Sequence, residues 1–252
     1  MVLRMGTNRL VDICGKENAI FSEMAEKARV TESLTEHIRK VFGYEPRPHQ
    51  LPWIAALEDM SIKRLIIIAP PKYGKTPTMQ DYVSWRIGND PNNYHCLYVS
   101  NTAKQAKKPS VAIRDTIEYS DRYHKYYPIL PDKNKGWARD LLFVKRWDPS
   151  DKDSTFQACG VHGPVIGATV EEVILDDVAD KENQATEYQA EQLMSWLRST
   201  PLSRLVPNIS RVVMICTRWS EMDPAEAFKN DGWTVIELKA ITDEGKLTYP
   251  SL

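Results

Sequence analysis

The 252-residue sequence predicts an α/β fold, a mostly parallel sheet flanked by helices. Three observations carry that expectation. Short apolar runs alternate with segments of helical periodicity. The run "RLIIIA" (64–69) empties into a Pro-rich turn and Gly-Lys-Thr, and a helical pattern comes next. A later run, "EEVILDD" (171–177), ends in two adjacent aspartates, Asp176 and Asp177.

Taken in order, residues 17–41 read as one helix, broken by Gly43, Pro46 and Pro48. "LPWIAALEDM" reads as a short helix with Pro52 in its first turn. "RLIIIA" is β-branched and has no polar face, so a buried parallel strand is expected. "PTMQDYVSWRIG" is helical, with Pro77 tolerable only near its start. "HCLYVS" is a second strand. The segment 102–120 is a helix that Pro109 is expected to kink or split. "LLFVKRW" and "TFQACGV" read as two short strands, a hairpin by their proximity, and "EEVILDD" as another buried strand. An amphipathic helix runs through "ATEYQAEQLMSWLRSTPLSRL" and closes near Pro201. The buried strand "SRVVMICTRW", the short helix "PAEAFKN" and the strand "WTVIELKA" complete the pattern. Strand–helix alternation of this kind implies parallel pairing through right-handed crossovers.

Apolar residues make up 42% and charged residues 27%, as in ordinary globular proteins. A net charge of −1 gives no overall pull toward nucleic acid or membrane, so any DNA contact has to use a local patch. No apolar run is long enough to span a bilayer, and the N-terminus lacks a signal-type apolar region. A cytoplasmic location without membrane partners is expected. Cys14, Cys96, Cys159 and Cys216 lie far apart without zinc-site spacing and read as small buried apolar residues. Among the histidines, only His162, in a Gly-rich turn, stands out.

Residues 69–76, "APPKYGKT", fit the pattern [AG]-x4-G-K-[ST]. In such a loop the backbone N–H groups of Pro-Pro-Lys-Tyr-Gly-Lys-Thr-Pro (Pro70, Pro71, Lys72, Tyr73, Gly74, Lys75, Thr76, Pro77), where present, surround a phosphate. Gly74 permits close approach, Lys75 reaches the β and γ oxygens, and the Thr76 hydroxyl ligates Mg²⁺. The positive end of the next helix adds to this. The plain alternative is an exposed Gly-Lys-Thr turn.

Asp176 and Asp177 come after a buried apolar run, where two carboxylates are costly without a compensating cation. In a nucleotide-hydrolysing site the first would hold Mg²⁺ and the second would polarise the attacking water. A solvated strand end or a helix cap is the alternative. A third strand end carries Thr217 and Arg218, and ligands of open parallel sheets bind beyond such ends.

The chain resembles the large terminase subunit of tailed bacteriophages, in its N-terminal ATPase domain. The segments that carry the resemblance are "IIIAPPKYGKT", "GVHGPVIGATVEEVILDDVAD", "EQLMSWLRSTPLSRLVP" and "VVMICTRWSEMDPAEAF". Their order and spacing match across residues 46 to about 240. The resemblance implies a RecA-like P-loop NTPase of the ASCE group that hydrolyses ATP with Mg²⁺ and moves double-stranded DNA into a procapsid. It implies Asp176 as the metal-coordinating Walker B residue. Asp177 stands where most members have a glutamate, one methylene longer. Thr217 and Arg218 match the coupling motif, and Arg47 and Gln50 in "RPHQ" the adenine-reading segment; a helix cap is the alternative for Gln50. The implied partners are a portal protein and a small terminase subunit, with the motor a monomer in isolation and a homo-oligomeric ring on the portal, in the host cytoplasm.

The implied organisation is a helical lead or lid over residues 1–45, an ATPase core over 46–240, and the start of a linker to a nuclease domain over 241–252. No second cluster of carboxylates lies beyond residue 240, so this chain alone is not expected to cut DNA.

Two departures stand out. Members often carry an arginine where this loop has Pro71, with Lys72 beside it. Some carry one in the Gly-rich turn, which here reads "PVIGATV". The arginine finger is therefore unassigned, with Arg139, Arg146, Arg198, Arg204 and Arg218 as candidates. Lys104, Lys107 and Lys108, with Arg114 further along, form a local basic patch that could meet DNA phosphates or simply face water. A helicase-type ATPase and a non-catalytic nucleotide-binding module are the competing readings; the former is expected to show a second RecA-like domain.

Overall fold

The computed structural model describes residues 5–165, 169–218, 223–240 and 248, with side chains from residue 18 onward. The linker expected over 241–252 therefore lies outside the described residues apart from Thr248, as do Trp219 and the middle of the Gly-rich turn.

Among the described residues, seven strands form one sheet. In chain order they are β1 (Arg64–Ile68), β2 (Cys96–Ser100), β3 (Leu141–Leu142), β4 (Phe156–Gly160), β5 (Glu172–Asp176), β6 (Arg211–Cys216) and β7 (Thr234–Glu237). Their spatial order is β3-β4-β2-β5-β6-β1-β7, and every pairing is parallel except β3 with β4. The apolar runs are β-branched and nearly continuous because both faces are covered. Alternate residues feed two cores. Leu65, Ile67, Tyr98, Ile174 and Val213 pack on one face, and Ile66, Leu97, Val99, Val173 and Met214 on the other. The first face is covered by α1 (Met5–Glu32), α2 (Leu34–His37), α3 (Leu51–Glu58), α4 (Lys75–Asn89), α5 (Ala103–Tyr119) and α6 (Asp121–Tyr126). The second is covered by α7 (Glu187–Ser199) and α8 (Pro224–Asn230). Fully burying one such aliphatic side chain stabilises the fold by about 1.5–3 kcal/mol.

Three local expectations differ from what forms. The single helix over residues 17–41 is broken at Ser33, whose extended backbone (φ −124°, ψ 122°) and side chain cap a new helix. Glu58 at the end of α3 fixes the break, accepting from Ser33 Oγ (3.2 Å) and Leu34 N (2.5 Å). Pro109 does not split α5, which runs unbroken from Ala103 to Tyr119. Burial of Ala106, Pro109, Ile113 and Ile117 along one face outweighs the missing donor. The β3–β4 hairpin forms, but β3 pairs over only two residues. The sequence pattern also gave no sign of α6, a helix capped by Ser120.

At the N-terminal ends of β5 and β6 lies a closed ionic network. Glu172 is fully buried, and accepts from Tyr82 Oη (2.8 Å) and Tyr94 Oη (2.7 Å). Arg211 and Arg86 approach it at 3.9 and 3.8 Å. Arg211 also donates to the carbonyls of Leu57 (2.7 Å) and Ala56 (2.6 Å), which ties α3 to the sheet. A buried carboxylate is tolerated when its lone pairs are satisfied in this way.

Candidate nucleotide and metal site

The strand register fixes the site. Ser100, Asp176, Ile215 and Ile67 form one row across the sheet, at the C-terminal ends of β2, β5, β6 and β1. The residues after each of these strands are therefore delivered to a single edge. From β1 the chain turns through Lys72 and Gly74, both in the left-handed region (φ 68° and 87°), into α4. Gly74 has a specific reason to be glycine: a Cβ there would lie 2.8 Å from Gln50 Nε2. The helix starts at Lys75 with no side-chain cap, so its first N–H groups remain for an anion.

Lys75 is buried, and its ammonium donates to the carbonyls of Ala69 (2.8 Å) and Pro70 (3.1 Å) and to Thr217 Oγ1 (2.9 Å). Burial holds its pKa below the usual lysine range, and the charges of Asp177 and Asp176 pull it back up. Thr76 Oγ1 donates to both oxygens of Asp176 at 3.1 and 3.0 Å, although the two residues are 100 apart in sequence. Asp176 also accepts from Tyr98 Oη at 2.7 Å. Burial pushes the Asp176 carboxyl up to about 6 and the Asp177 charge adds to this, while the Tyr98 and Thr76 hydroxyls hold it down.

Asp177 turns sharply out of the strand with φ 44°, a conformation that Asp tolerates better than most residues. Its backbone N–H donates to Ile215 O (2.9 Å), and its Oδ1 accepts from the Thr217 N–H at 2.8 Å. Thr217 thus links the loop lysine on one side to Asp177 on the other. A pocket of about 210 Å³ opens beside these groups, lined by Thr76, Ser100, Gln105, Lys108, Pro109, Asp176 and Asp177. A hydroxyl and two carboxylates are the hard oxygen donors that suit Mg²⁺, so the residues present fit that ion.

Other sequence-derived candidates fall elsewhere. Arg218 donates to Glu226 on α8 at 3.3 Å and does not line this pocket. Gln50 is buried behind the loop; its Oε1 accepts from Arg47 N (2.8 Å) and its Nε2 donates to Thr78 Oγ1 (3.0 Å). Arg47 itself is exposed, as are Pro71, Lys72 and Pro77, while Tyr73 is buried and Pro70 half-buried. Arg146 is consumed by a network with Asp151, Thr155 (3.1 Å) and the Tyr94 and Pro91 carbonyls. Arg198 pairs with Asp231 at 2.8 Å, and Arg204 lies in the turn after α7. Arg139 sits in a groove with Lys104, Lys107 and Lys108. Arg114 pairs with Asp115, and Lys107 with Asp140 at 2.8 Å. His162, at φ 59°, packs edge-on against Trp196 with ring centroids 5.5 Å apart.

Sequence reasoning missed Tyr98 and His49. Tyr98 carries a polar tip on a buried strand, β2, and a buried tyrosine hydroxyl needs a partner. His49 Nε2 donates to the Tyr73 carbonyl at 3.0 Å, and its ring packs between Trp53 and Tyr73. No signal in the sequence singled it out.

A parallel sheet with β6 interposed between the loop strand and the aspartate strand is a RecA-like α/β fold. No family model matches the chain, and no curated protein matches it by sequence. Solved structures do. The large terminase of bacteriophage HK97 aligns with TM-score 0.52 and 13% identity, over 84% of this chain and 44% of that one. The yeast DEAD-box splicing factor Prp28 aligns with TM-score 0.52 and 11% identity, over 85% of this chain and 49% of that one. The large terminase ATPase domain of Thermus phage P74-26 aligns with TM-score 0.45 and 16% identity, over 73% and 69%. Structural neighbours thus include phage terminases and DEAD-box proteins, and the chain spans about half the length of the HK97 and Prp28 proteins.

Proposed function

We propose that the chain is the ATP-hydrolysing motor domain of a viral terminase large subunit, driving double-stranded DNA into a procapsid. The observation that carries the nucleotide reading is the contact of Thr76 with Asp176 across 100 residues of sequence, beside a buried Lys75. The terminase reading rests on the four sequence segments that resemble that family, because the HK97 and Prp28 folds are equally similar to this one.

In this reading the loop N–H groups and Lys75 bind the β- and γ-phosphates of ATP. Lys75 exchanges the Ala69 and Pro70 carbonyls for phosphate oxygens, at little net cost because each lost hydrogen bond is replaced by a charge-assisted one. Thr76 and Asp176 would hold Mg²⁺, which would supply charge neutralisation at the transferred phosphoryl group. Asp177 orients and deprotonates the attacking water. Its carboxylate is held by the Thr217 N–H, so loss of the γ-phosphate is felt at the end of β6 through Thr217. Gln50 and Arg47 flank the adenine, and Arg218 acts in coupling. The groove along α5 that carries Lys104, Lys107 and Arg139 meets DNA phosphates without reading sequence. A ring of copies on a portal, with a small terminase subunit, completes the motor in the host cytoplasm.

The test is steady-state ATP turnover with and without duplex DNA. The wild type is expected to hydrolyse ATP only with Mg²⁺, and Lys75→Ala and Asp177→Asn to lose that activity. Equal, negligible turnover in all three would leave a non-catalytic binding module. Stimulation by RNA and not by duplex DNA would favour the helicase-type reading.

A further inference from the structure

Five arginines compete for the charge-neutralising role at the terminal phosphate, yet none lines the pocket bounded by Thr76, Asp176 and Asp177. Among the described residues lining it, the one cation is Lys108. We propose that Lys108 is a ligand of the terminal phosphate of a bound nucleoside triphosphate, reaching it from the α5 side opposite Lys75. This rests on the phosphate-loop reading of the same site.

The placement is built into the fold. β2 lies beside β5 in register, Ser100 opposite Asp176, so the start of α5, three residues after Ser100, is set at the C-terminal end of these strands before the helix runs back over the sheet face. The start of α5 is fixed by reciprocal caps. Thr102 Oγ1 accepts from Gln105 N at 3.2 Å, and Gln105 Oε1 accepts from Thr102 N at 3.1 Å. Ala106 and Pro109 are buried on either side of Lys108 and hold the backbone at that turn. Its neighbour Lys107 is committed to Asp140, whereas Lys108 forms no ion pair among the described residues, even though it shares a pocket with two carboxylates. Lys108 is exposed, forms no ion pair among the described residues, and borders the same pocket of about 210 Å³ as Asp176 and Asp177, within reach of a phosphate bound there. A flexible four-carbon stem with three donors suits that task.

Lys108 also lines the groove that holds Lys104 and Arg139. The same side chain therefore faces both the nucleotide and the surface proposed to meet DNA.

The decisive measurement is equilibrium binding with Mg²⁺ of a slowly hydrolysed ATP analogue and of ADP. Lys108→Ala is expected to weaken analogue binding by about tenfold, the size of one lost charge-assisted contact, and ADP binding by less than about twofold. Lys108→Arg is expected to restore most of the difference, and Lys133→Ala, an exposed lysine paired with Glu118 at the far end of α5 and outside both the pocket and the groove, to leave both affinities unchanged. Equal losses for the two nucleotides, or none for either, overturn the proposal and leave the phosphate loop intact. Loss of duplex DNA binding with an unchanged analogue-to-ADP ratio overturns it too, since Lys108 then serves the groove alone. If the wild type binds neither nucleotide in a Lys75-dependent way, the phosphate-loop reading and this proposal fall together.

Discussion

The two ends of β5 and β6 treat buried charge in opposite ways. At the N-terminal end, Glu172 is enclosed by two tyrosine hydroxyls and two arginines, and Arg211 is bound to two carbonyls of α3. At the other end of the strand, Asp176 is held by two hydroxyls, those of Thr76 and Tyr98, and the next residue, Asp177, by one backbone N–H, beside an open pocket. The first arrangement is a buried cluster in which the carboxylate is taken up by protein donors, with Arg211 Nε left without a hydrogen-bond partner. The second consists of contacts that phosphate and a divalent ion can take over. Burial and charge alone do not mark a functional site; exchangeable partners next to open volume do.

The comparison breaks most sharply by mutation of each end in turn. Arg211→Ala removes one of the two cations facing buried Glu172 and leaves the Ala56 and Leu57 carbonyls without their donor, and is expected to cost about 3–5 kcal/mol, read as a lowered urea midpoint. Lys75→Ala should leave that midpoint within about 1 kcal/mol and lower ATP turnover at least about hundredfold. If the two variants behaved alike in both assays, the contrast between the ends would be lost. Asp177→Asn keeps the shape and the acceptor to Thr217 but not the base. Turnover is expected to fall about 10²–10³-fold while analogue binding, measured by titration, stays within about threefold.

Smaller effects sharpen the contrast through pH. Asp81 on α4 is buried beneath Tyr44, and burial pushes its carboxyl up to about 7. A folded-state value above the unfolded one means the proton stabilises the fold. That contribution is full below about 4 and is lost as pH rises through about 7. Asp81→Asn should flatten this dependence and raise stability at pH 8 by about 1–2 kcal/mol in urea melts, with little change at pH 4. Asp176, pushed up to about 6 and required as the anion, should make Mg²⁺-dependent analogue binding fade as pH falls through that value. Tyr98→Phe removes a donor to the carboxylate and should move that midpoint upward, with about 1 kcal/mol of stability lost.

Most of the architecture was legible in the sequence because its signals are strong and local. Continuous apolar runs marked the strands β1, β2, β5 and β6, and Gly74-Lys75-Thr76 after β1 marked the turn into α4. Element ends were less legible, since they depend on partners far along the chain. The break at Ser33 is held by Glu58, and the continuity of α5 through Pro109 by the core beneath it. The candidate site was legible as residues that follow apolar runs: Lys75 and Thr76 at the start of α4, Asp176 at the end of β5 and Thr217 after β6, joined by hydrogen bonds in the fold. Lys108 read as part of a solvent-facing basic stretch, and only the pairing of β2 with β5 reveals that it borders the aspartates. For Arg218 the pattern pointed to the site, whereas its guanidinium reaches Glu226.

The central claim is that Lys75, Thr76, Asp176 and Asp177 converge on one Mg²⁺–triphosphate. A crystal structure with Mg²⁺ and a slowly hydrolysed ATP analogue tests it most directly. The account predicts a metal between Thr76 Oγ1 and Asp176, the Lys75 ammonium moved from Ala69 O and Pro70 O onto phosphate oxygens, and a water at Asp177 in line with the γ-phosphorus. A nucleotide bound elsewhere, or one at the loop with the metal away from Asp176, would contradict it.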